Sequence, residues 1–452
     1  MKKICFTLVL CLTTLMYVAH AQIPGGICNW DNNRKAAVVL TFDDWSPGQC
    51  PIATPELLKR NLNATFFIIT NNVQTWDNCY WPQVIQEVTN GNEIGNHTYT
   101  HPYLSKLNTW AVAPSGIPPY SDLTAQITRE VGGAKKTLEQ YITNQPILTF
   151  AYPFGDYNTQ VLDSVISTGH ICARGVTSPT NFTYDFAVNA GDYYNLNTYA
   201  MSSLVSLNTF YGQIQNVMNG GGLLTYLYHS LDNGTEYGDN WYSQVQQSAL
   251  QKQLDTLVYV KDKVWITTLV QAIKYHKEKR CASLTQTQPP DGSTWKLLLT
   301  DTLSKNTIYN QPLSIKLKTN GVNYLSVIQN GVVIPIDLVR NDSIMFRAVP
   351  DNGEITLTTA YVTATKTAQA SIDNITISPV PTDGILNIHA AKPVEISSVA
   401  VFDISGKKVY DTSNVGLLND LQIDMTAYKE GNYVIYIYQA DQAIVKKAIR
   451  VN

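Results

Sequence analysis

Two histidines four positions apart, His97 and His101, follow at a distance an acidic pair, Asp43-Asp44, that closes the apolar run 36–42. Two neutral imidazoles and one carboxylate are a ligand set for a catalytic divalent ion, and the second carboxylate is then left over as a base. Each piece alone has a plainer explanation: an acidic pair after a strand caps a turn or helix, and a lone His-x-x-x-His is often coincidence. On a helical turn this spacing puts both imidazoles on one face, and Pro102 favours extended backbone at His101. His229 ends another apolar run, 222–229, as either a satisfied structural residue or a general acid.

The elements that must position these groups alternate along 35–280. Strands are predicted at 36–42, 64–70, 93–97, 147–152, 171–176, 186–189, 223–229 and 264–267. Helices are predicted at 55–62, 81–89, 122–142, 159–167, 209–218, 242–258 and 269–279. Such alternation implies a largely parallel sheet, closed as a barrel or open and doubly wound, with its chemistry at the carboxyl ends of the strands. Asp43-Asp44, His97, Phe154, Asp192 and His229 all fall at or just after a predicted strand end.

With 32 basic against 35 acidic residues and no basic cluster, the 452-residue chain lacks the electrostatic footprint of a nucleic-acid binder. Its 27 tyrosines and 8 tryptophans suit stacking on sugar rings as well as a core. Trp45, Tyr103, Tyr152 and Tyr193 lie near the candidate site in sequence and are candidate walls of a substrate groove, burial being the alternative for each.

Met1-Lys2-Lys3, an apolar stretch and Ala19-His20-Ala21 read as a signal peptide, 1–21; no later run is long enough to span a bilayer, so the mature chain is expected to be exported without a transmembrane segment. Five cysteines remain in an oxidising compartment, and the preferred disulfides are Cys50–Cys79 and Cys28–Cys281, with metal ligation the weaker alternative. The first domain is placed at 22–281. Asn-Gly turns at 320–321, 330–331 and 352–353 between alternating runs predict a β-sandwich of unknown role at 291–361, and a second linker leads to another β-rich domain at 372–452.

Thr41-Phe42-Asp43-Asp44, His97-Thr98-Tyr99-Thr100-His101-Pro102, Ala151-Tyr152-Pro153-Phe154-Gly155, Asp192-Tyr193 and Leu227-Tyr228-His229 together resemble, in order and spacing, the five motifs of the polysaccharide deacetylase (NodB-homology, carbohydrate esterase family four) proteins. The resemblance spans about 35–280 and implies a distorted (β/α) barrel and a metal-dependent hydrolase. It implies that Asp44, His97 and His101 hold a divalent ion, usually zinc in the family, that Asp43 is the base and His229 the acid, that the Phe154 amide holds the oxyanion, and that Asp192 orients His229. The substrate implied is an acetylated polysaccharide, N-acetylated first; an O-acetyl esterase such as an acetyl xylan esterase, or a catalytically weak glycan-binding protein, is the alternative.

One position departs from the family. Its third motif commonly begins with an Arg that pairs with the base, and here that place is Ala151; Arg174, at another predicted strand end, is the candidate replacement cation. A second resemblance covers the C-terminus. Ile377-Ser378-Pro379-Val380-Pro381-Thr382-Asp383-Gly384, Val399-Ala400-Val401-Phe402-Asp403-Ile404-Ser405-Gly406-Lys407-Lys408-Val409, Gly431-Asn432-Tyr433-Val434-Ile435 and Lys446-Lys447-Ala448-Ile449-Arg450-Val451 resemble the sorting domain of type IX secretion, with Val380-Pro381 where Asn-Pro is usual. That implies a second small all-β sandwich domain at 372–452, a secretion machinery as partner and a secreted or surface-attached product; an ordinary appended sandwich that binds glycan or packs on its neighbour is the alternative.

Overall fold

The computed structural model describes residues 25–73, 75, 80–108, 120–178, 193–235, 238–239, 241–287, 294–304, 307–318, 323–339, 343–360, 375–403, 408–439 and 442–451. The expected signal peptide, the 186–189 strand, Asp192, Cys79 and the linker before 372 lie outside them.

The first strands are β1 (Gly25–Ile27), β2 (Ala36–Asp44), β3 (Thr65–Ile68), β4 (Glu93–Asn96), β5 (Thr149–Ala151), β6 (Cys172–Arg174), β7 (Tyr199–Ala200), β8 (Leu223–Tyr228), the short pair β9 (Leu231–Asp232) and β10 (Val245–Gln246), and β11 (Val264–Thr267). A parallel sheet runs in the order β6-β5-β4-β3-β2-β8-β7, with β11 on the first half of β2 and β3 on its second half. The Leu196 N–H donates to the Ala173 carbonyl at 3.0 Å and the Gly175 N–H to the Leu196 carbonyl at 2.9 Å, and Leu196 runs on into β7. The sheet therefore closes, through an irregular seam, into a distorted barrel. Closure explains why β2 reads as an unbroken apolar run. Both its faces are covered, and every residue but Asp44 is buried.

Helices α1 (Thr54–Leu58), α2 (Trp81–Thr89), α3 (Leu123–Ile127), α4 (Ala134–Tyr141), α5 (Thr159–Ser167), α6 (Leu207–Gly220), α7 (Gln247–Val260) and α8 (Leu269–Cys281) accompany the strands. The Asn158 and Ser206 side chains accept the Val161 and Thr209 N–H groups and so start α5 and α6. Two expected helices differ. The 122–142 stretch is interrupted by a π-turn, Thr128–Gly133, that turns Glu130 toward the His97–His101 loop; α7 begins at Gln247, because the chain bends at 242–243, where Ser243 has a φ of 47°, and then forms β10.

The predicted sandwich is larger than 291–361. It comprises β12 (Ser283–Thr287), β13 (Thr294–Thr300), β14 (Leu313–Lys318), β15 (Asn323–Gln329), β16 (Val332–Ile334), β17 (Asp337–Val339), β18 (Ser343–Ala348) and β19 (Glu354–Ala360). One sheet is β12-β13-β19-β15-β16; the other, β1-β14-β18-β17, takes its edge from the start of the chain. Trp30, Ile273 and Tyr275 of the barrel share one core with Trp295, Leu313, Ile315 and Phe346 of the sandwich. Arg347 adds a forked ion pair to Asp31, at 2.7 and 2.8 Å. The two units are thus packed as one body.

Glu278 of α8 sits in that interface, fully buried, accepting the Gln311 N–H at 2.9 Å through Oε1 while Oε2 has no partner. Burial, outweighing that hydrogen bond, pushes its carboxyl up to about 7. A folded pKa above the unfolded value means the native state keeps a proton that the unfolded chain releases, so stability is lost as pH rises from about 4.5 to about 7 and is flat above. Glu278→Gln is expected to match the parent in denaturant unfolding near pH 4.5 and exceed it by about 3 kcal/mol at pH 8. An equal difference at both pH values would refute the assignment.

The expected Cys28–Cys281 disulfide is absent: both are free thiols, as is Cys50. Cys28 meets α8 at Tyr275, whose hydroxyl donates to the Cys28 carbonyl, and Cys281 lies six residues further on, about 9 Å of helix rise. Burial pushes the Cys28 thiol up to about 11.

At the C-terminus, β20 (Ile375–Ser378), β21 (Ile385–Asp403), β22 (Lys408–Asp424), β23 (Gly431–Gln439) and β24 (Gln442–Arg450) form one antiparallel sheet. A register shift between His389 and Val394 bends β21. Its two ends then share a core, with Leu386 and Ile388 from one and Val399 and Val401 from the other. No described helix is long and apolar enough to cross a membrane.

Candidate active site

The barrel brings the ends of β2, β4, β6 and β8 to one rim. Asp43 and Asp44 end β2, His97 follows β4, Arg174 ends β6 and His229 follows β8. They meet in a cavity of about 450 Å³ lined by Asp43, Asp44, His97, His101, Phe154 and His229, with Leu227, Val176 and Tyr242 as apolar walls. That size accommodates a sugar unit.

Asp44, His97 and His101 each offer a ligand atom, and these atoms lie within 4.8 Å of one another. His97 Nε2 is 3.3 Å from Asp44 Oδ1, and His101 Nε2 is 3.6 Å from the same oxygen. His97 Nδ1 donates to the Ala151 carbonyl at 2.8 Å, which fixes the tautomer and leaves the Nε2 lone pair facing the cluster. His97 Nε2 and Asp44 Oδ1 are both buried and without a hydrogen-bond partner. Two orphaned acceptors aimed at one point are costly unless a cation sits between them, so the residues fit a divalent ion. Burial raises the Asp44 carboxyl, but the close approach of His97, with the His101 and His229 imidazoles beyond it, outweighs burial and holds it at about 2; burial pushes His101 down to about 3. Both are then in their ligating forms at neutral pH. The triad contains no cysteine.

The histidine loop is not the helical turn that the spacing suggests. Thr98 and His101 have φ of 70° and 62°, so His101 is not extended before Pro102 either. The loop is shaped from outside. Glu130, fully buried, accepts the Tyr99 and Thr100 N–H groups at 2.9 and 2.8 Å and the Thr100 hydroxyl at 2.6 Å, with the Tyr120 hydroxyl as a fourth donor. Asn96 Oδ1 accepts the Thr98 N–H, and Thr98 Oγ1 the His101 N–H, both at 2.9 Å. Asp44, Trp45 and Phe154 also have positive φ, so five of the eleven such non-glycine residues described crowd this one rim.

Arg174 donates to Asp43 Oδ1; both side chains are buried. Burial lowers the guanidinium to about 9, which leaves it protonated at neutral pH. β5 and β6 pair with Ala151 opposite Arg174, so the cation comes from the next strand at the same level as the family's arginine position. It lies over the Phe67 ring, 4.8 Å from its centroid. Phe67 in turn needs Gly95, where a Cβ would stand 2.4 Å from the ring.

Asp43 Oδ2 is the free oxygen, 3.5 Å from His97 Nε2 and 4.0 Å from His229 Nε2. Burial, more than the opposing Asp44 charge, brings His229 down to about 4. Tyr242 stands edge-on to His229 with ring centroids 4.9 Å apart, and it is 64% exposed at the rim. Across the cavity, Tyr103 stacks on Phe154 at 4.3 Å, and Phe154 meets His101 at 4.6 Å.

Of the four aromatics suggested for a groove, Tyr103 alone has an exposed ring beside the cavity. Trp45 is fully buried, edge-on to Phe66 at 5.3 Å. Tyr152, one residue past the end of β5, borders the cavity but packs its buried ring with Phe150, Val161 and Val165 and stacks on Tyr157. Tyr193 is buried, its hydroxyl 2.8 Å from His276 Nδ1. Sequence reasoning missed Tyr242, which it placed inside a helix; the Asn233-Gly234 turn signal before it was the available clue.

A closed parallel barrel with this constellation at its carboxyl rim defines the class. Residues 31–172 match the polysaccharide deacetylase family, and 376–452 match the secretion system C-terminal sorting domain. A polysaccharide deacetylase domain is thus found at 31–172 and a C-terminal sorting domain at 376–452. Among curated relatives, a peptidoglycan-N-acetylglucosamine deacetylase of Bacillus cereus is 40% identical over 17% of this chain and 26% of its own length. A peptidoglycan-N-acetylmuramic acid deacetylase of Bacillus subtilis is 34% identical over 24% of this chain and 21% of its own. The chain thus spans about a quarter of these relatives. Among solved structures, a family 4 carbohydrate esterase from Bacillus anthracis is similar at 16% identity, covering 54% of this chain and 84% of that one, with a TM-score of 0.33.

Proposed function

We propose that this protein is an exported hydrolase that removes acetyl groups from a glycan, N-acetyl groups first, releasing acetate. The observation that carries the reading is the pair of orphaned acceptors, His97 Nε2 and Asp44 Oδ1, beside a separate buried carboxylate with its own cation and a histidine at 4.0 Å. Aromatic walls on both sides, Tyr103 with Phe154 and Tyr242, suit a sugar. The sorting domain supports passage through a type IX secretion machinery to the surface or the medium.

When bound, a divalent ion held by Asp44, His97 and His101, zinc by the chemistry of the donors, would supply a Lewis acid and lower the pKa of a water. Asp43 Oδ2 takes the proton of the attacking water. Arg174 keeps Oδ1 occupied and the carboxylate ionised. The Phe154 N–H holds the developing oxyanion, as the positive φ at Phe154 turns that loop against His101. His229 Nε2 protonates the departing nitrogen or oxygen. Since burial keeps His229 neutral at rest, it acquires that proton during turnover, and Asp43 is the near source.

The test is acetate release from a panel of N- and O-acetylated glycans, with and without chelator and metal add-back. Release from N-acetylated glycans, lost on chelation and restored by metal, is expected; activity that survives thorough chelation would overturn the mechanism, and acetate from xylan alone would select the esterase reading. Glu130→Gln removes the charge that gathers the histidine loop. It is expected to weaken zinc binding by about 10–100-fold in a titration of the apo-protein, and an unchanged affinity would refute that role.

A further inference from the structure

The acid and the base are joined by a side chain that belongs to none of the five motifs. β2 and β8 pair in register as far as Phe42 opposite Tyr228, so the ladder ends one rung short of Asp43 and His229. Gln49, fully buried at the start of the π-turn Gln49–Ala53, fills that place: its Nε2 donates to the Asp43 carbonyl at 2.5 Å and to the His229 carbonyl at 3.1 Å. Only the amide's nitrogen end can face two carbonyl oxygens, which fixes its orientation.

The turn that carries Gln49 is itself latched. Asp239 Oδ2 accepts the Gly48 N–H and the Ser46 hydroxyl, both at 2.9 Å, and Ser46 Oγ is also 3.2 Å from the His229 carbonyl. A Cβ at Gly48 would stand 2.3 Å from the Leu231 carbonyl, so the turn is pressed onto the segment that follows His229.

We propose that Gln49 is a positioning residue that sets the separation of Asp43 and His229 by spanning the two strand ends where their ladder stops. The inference rests on the deacetylase reading for its kinetic consequence. A misplacement of about 1 Å between reacting groups costs up to about a hundredfold in rate.

Gln49→Met keeps length and volume and removes both donors; Gln49→Glu keeps the shape and sets a carboxylate against two carbonyls. For each, kcat on an acetylated glycan is expected to fall about 10–100-fold with KM and bound zinc per chain within about twofold of the parent. In an Asp43→Asn background the same change is expected to cost almost nothing, because the pair it positions is already broken. Crystal structures should show the Asp43–His229 distance altered. A folded, metal-loaded Gln49→Met or Gln49→Glu enzyme with parental kcat, or an equal fractional loss in the Asp43→Asn background, overturns the proposal. If the parent releases no acetate at all, the functional reading fails instead, and an unchanged Asp43–His229 separation in the variants would then overturn the positioning role on its own.

Discussion

Asp43→Asn is expected to lower kcat for acetate release by about 10²–10⁴-fold while zinc binding and KM stay near the parental values. The split follows from the division of labour between neighbours. Asp44 faces both imidazoles at 3.3 and 3.6 Å, whereas Asp43 gives one oxygen to Arg174 and keeps the other 4.0 Å from His229. Asparagine keeps the shape and the bond to the guanidinium through its carbonyl oxygen but has no basic lone pair to offer the water. Asp44→Asn should give the opposite signature, with weakened metal binding and activity that rises with added zinc. Metal content by mass spectrometry beside steady-state kinetics separates the two. If the Asp43→Asn enzyme kept more than about a tenth of parental kcat, a different base would have to be sought.

Most of the barrel was legible because its strands are continuous apolar runs between amphipathic helices, and their ends placed Asp43, Asp44, His97 and His229 on one rim. The histidine loop was misread for a definite reason. His-x-x-x-His has the helical period, yet the backbone there is set by Glu130, some thirty positions downstream, and by Asn96, through bonds that no local pattern announces. The aromatics near the motifs were ambiguous for a related reason. Trp45, Tyr152 and Tyr193 are sequence neighbours of the site, but Tyr152, just past the end of β5, falls on the same side as Phe150 in the core under α5, and Trp45 turns into the core at a positive φ of 57°. Closeness in sequence fixes the layer of a barrel that a residue occupies. It does not fix the face.

Arg174 was reachable from sequence as a cation at a strand end, while its register with Ala151 was not, and that register makes a sharp expectation. Arg174→Ala should destabilise the fold by about 3–5 kcal/mol, because Asp43 would be left as a buried charge without a partner. Arg174→Lys should recover only part of this, since an ammonium on a flexible stem lacks the planar fork and stacks less well on Phe67. The decisive variant is the relocation Ala151→Arg combined with Arg174→Ala. Residues opposite each other on adjacent parallel strands point to the same face, about 4.8 Å apart, and the side chain removed at 174 leaves room for one entering from 151. The double variant is expected to regain stability and kcat relative to Arg174→Ala alone, measured by denaturant unfolding and by acetate release. A double variant no better than Arg174→Ala in both would mean that the layer alone does not define the cation's place. Partial rescue would mean that the carboxylate requires a positive charge at that level of the barrel, whichever of the two strands supplies it.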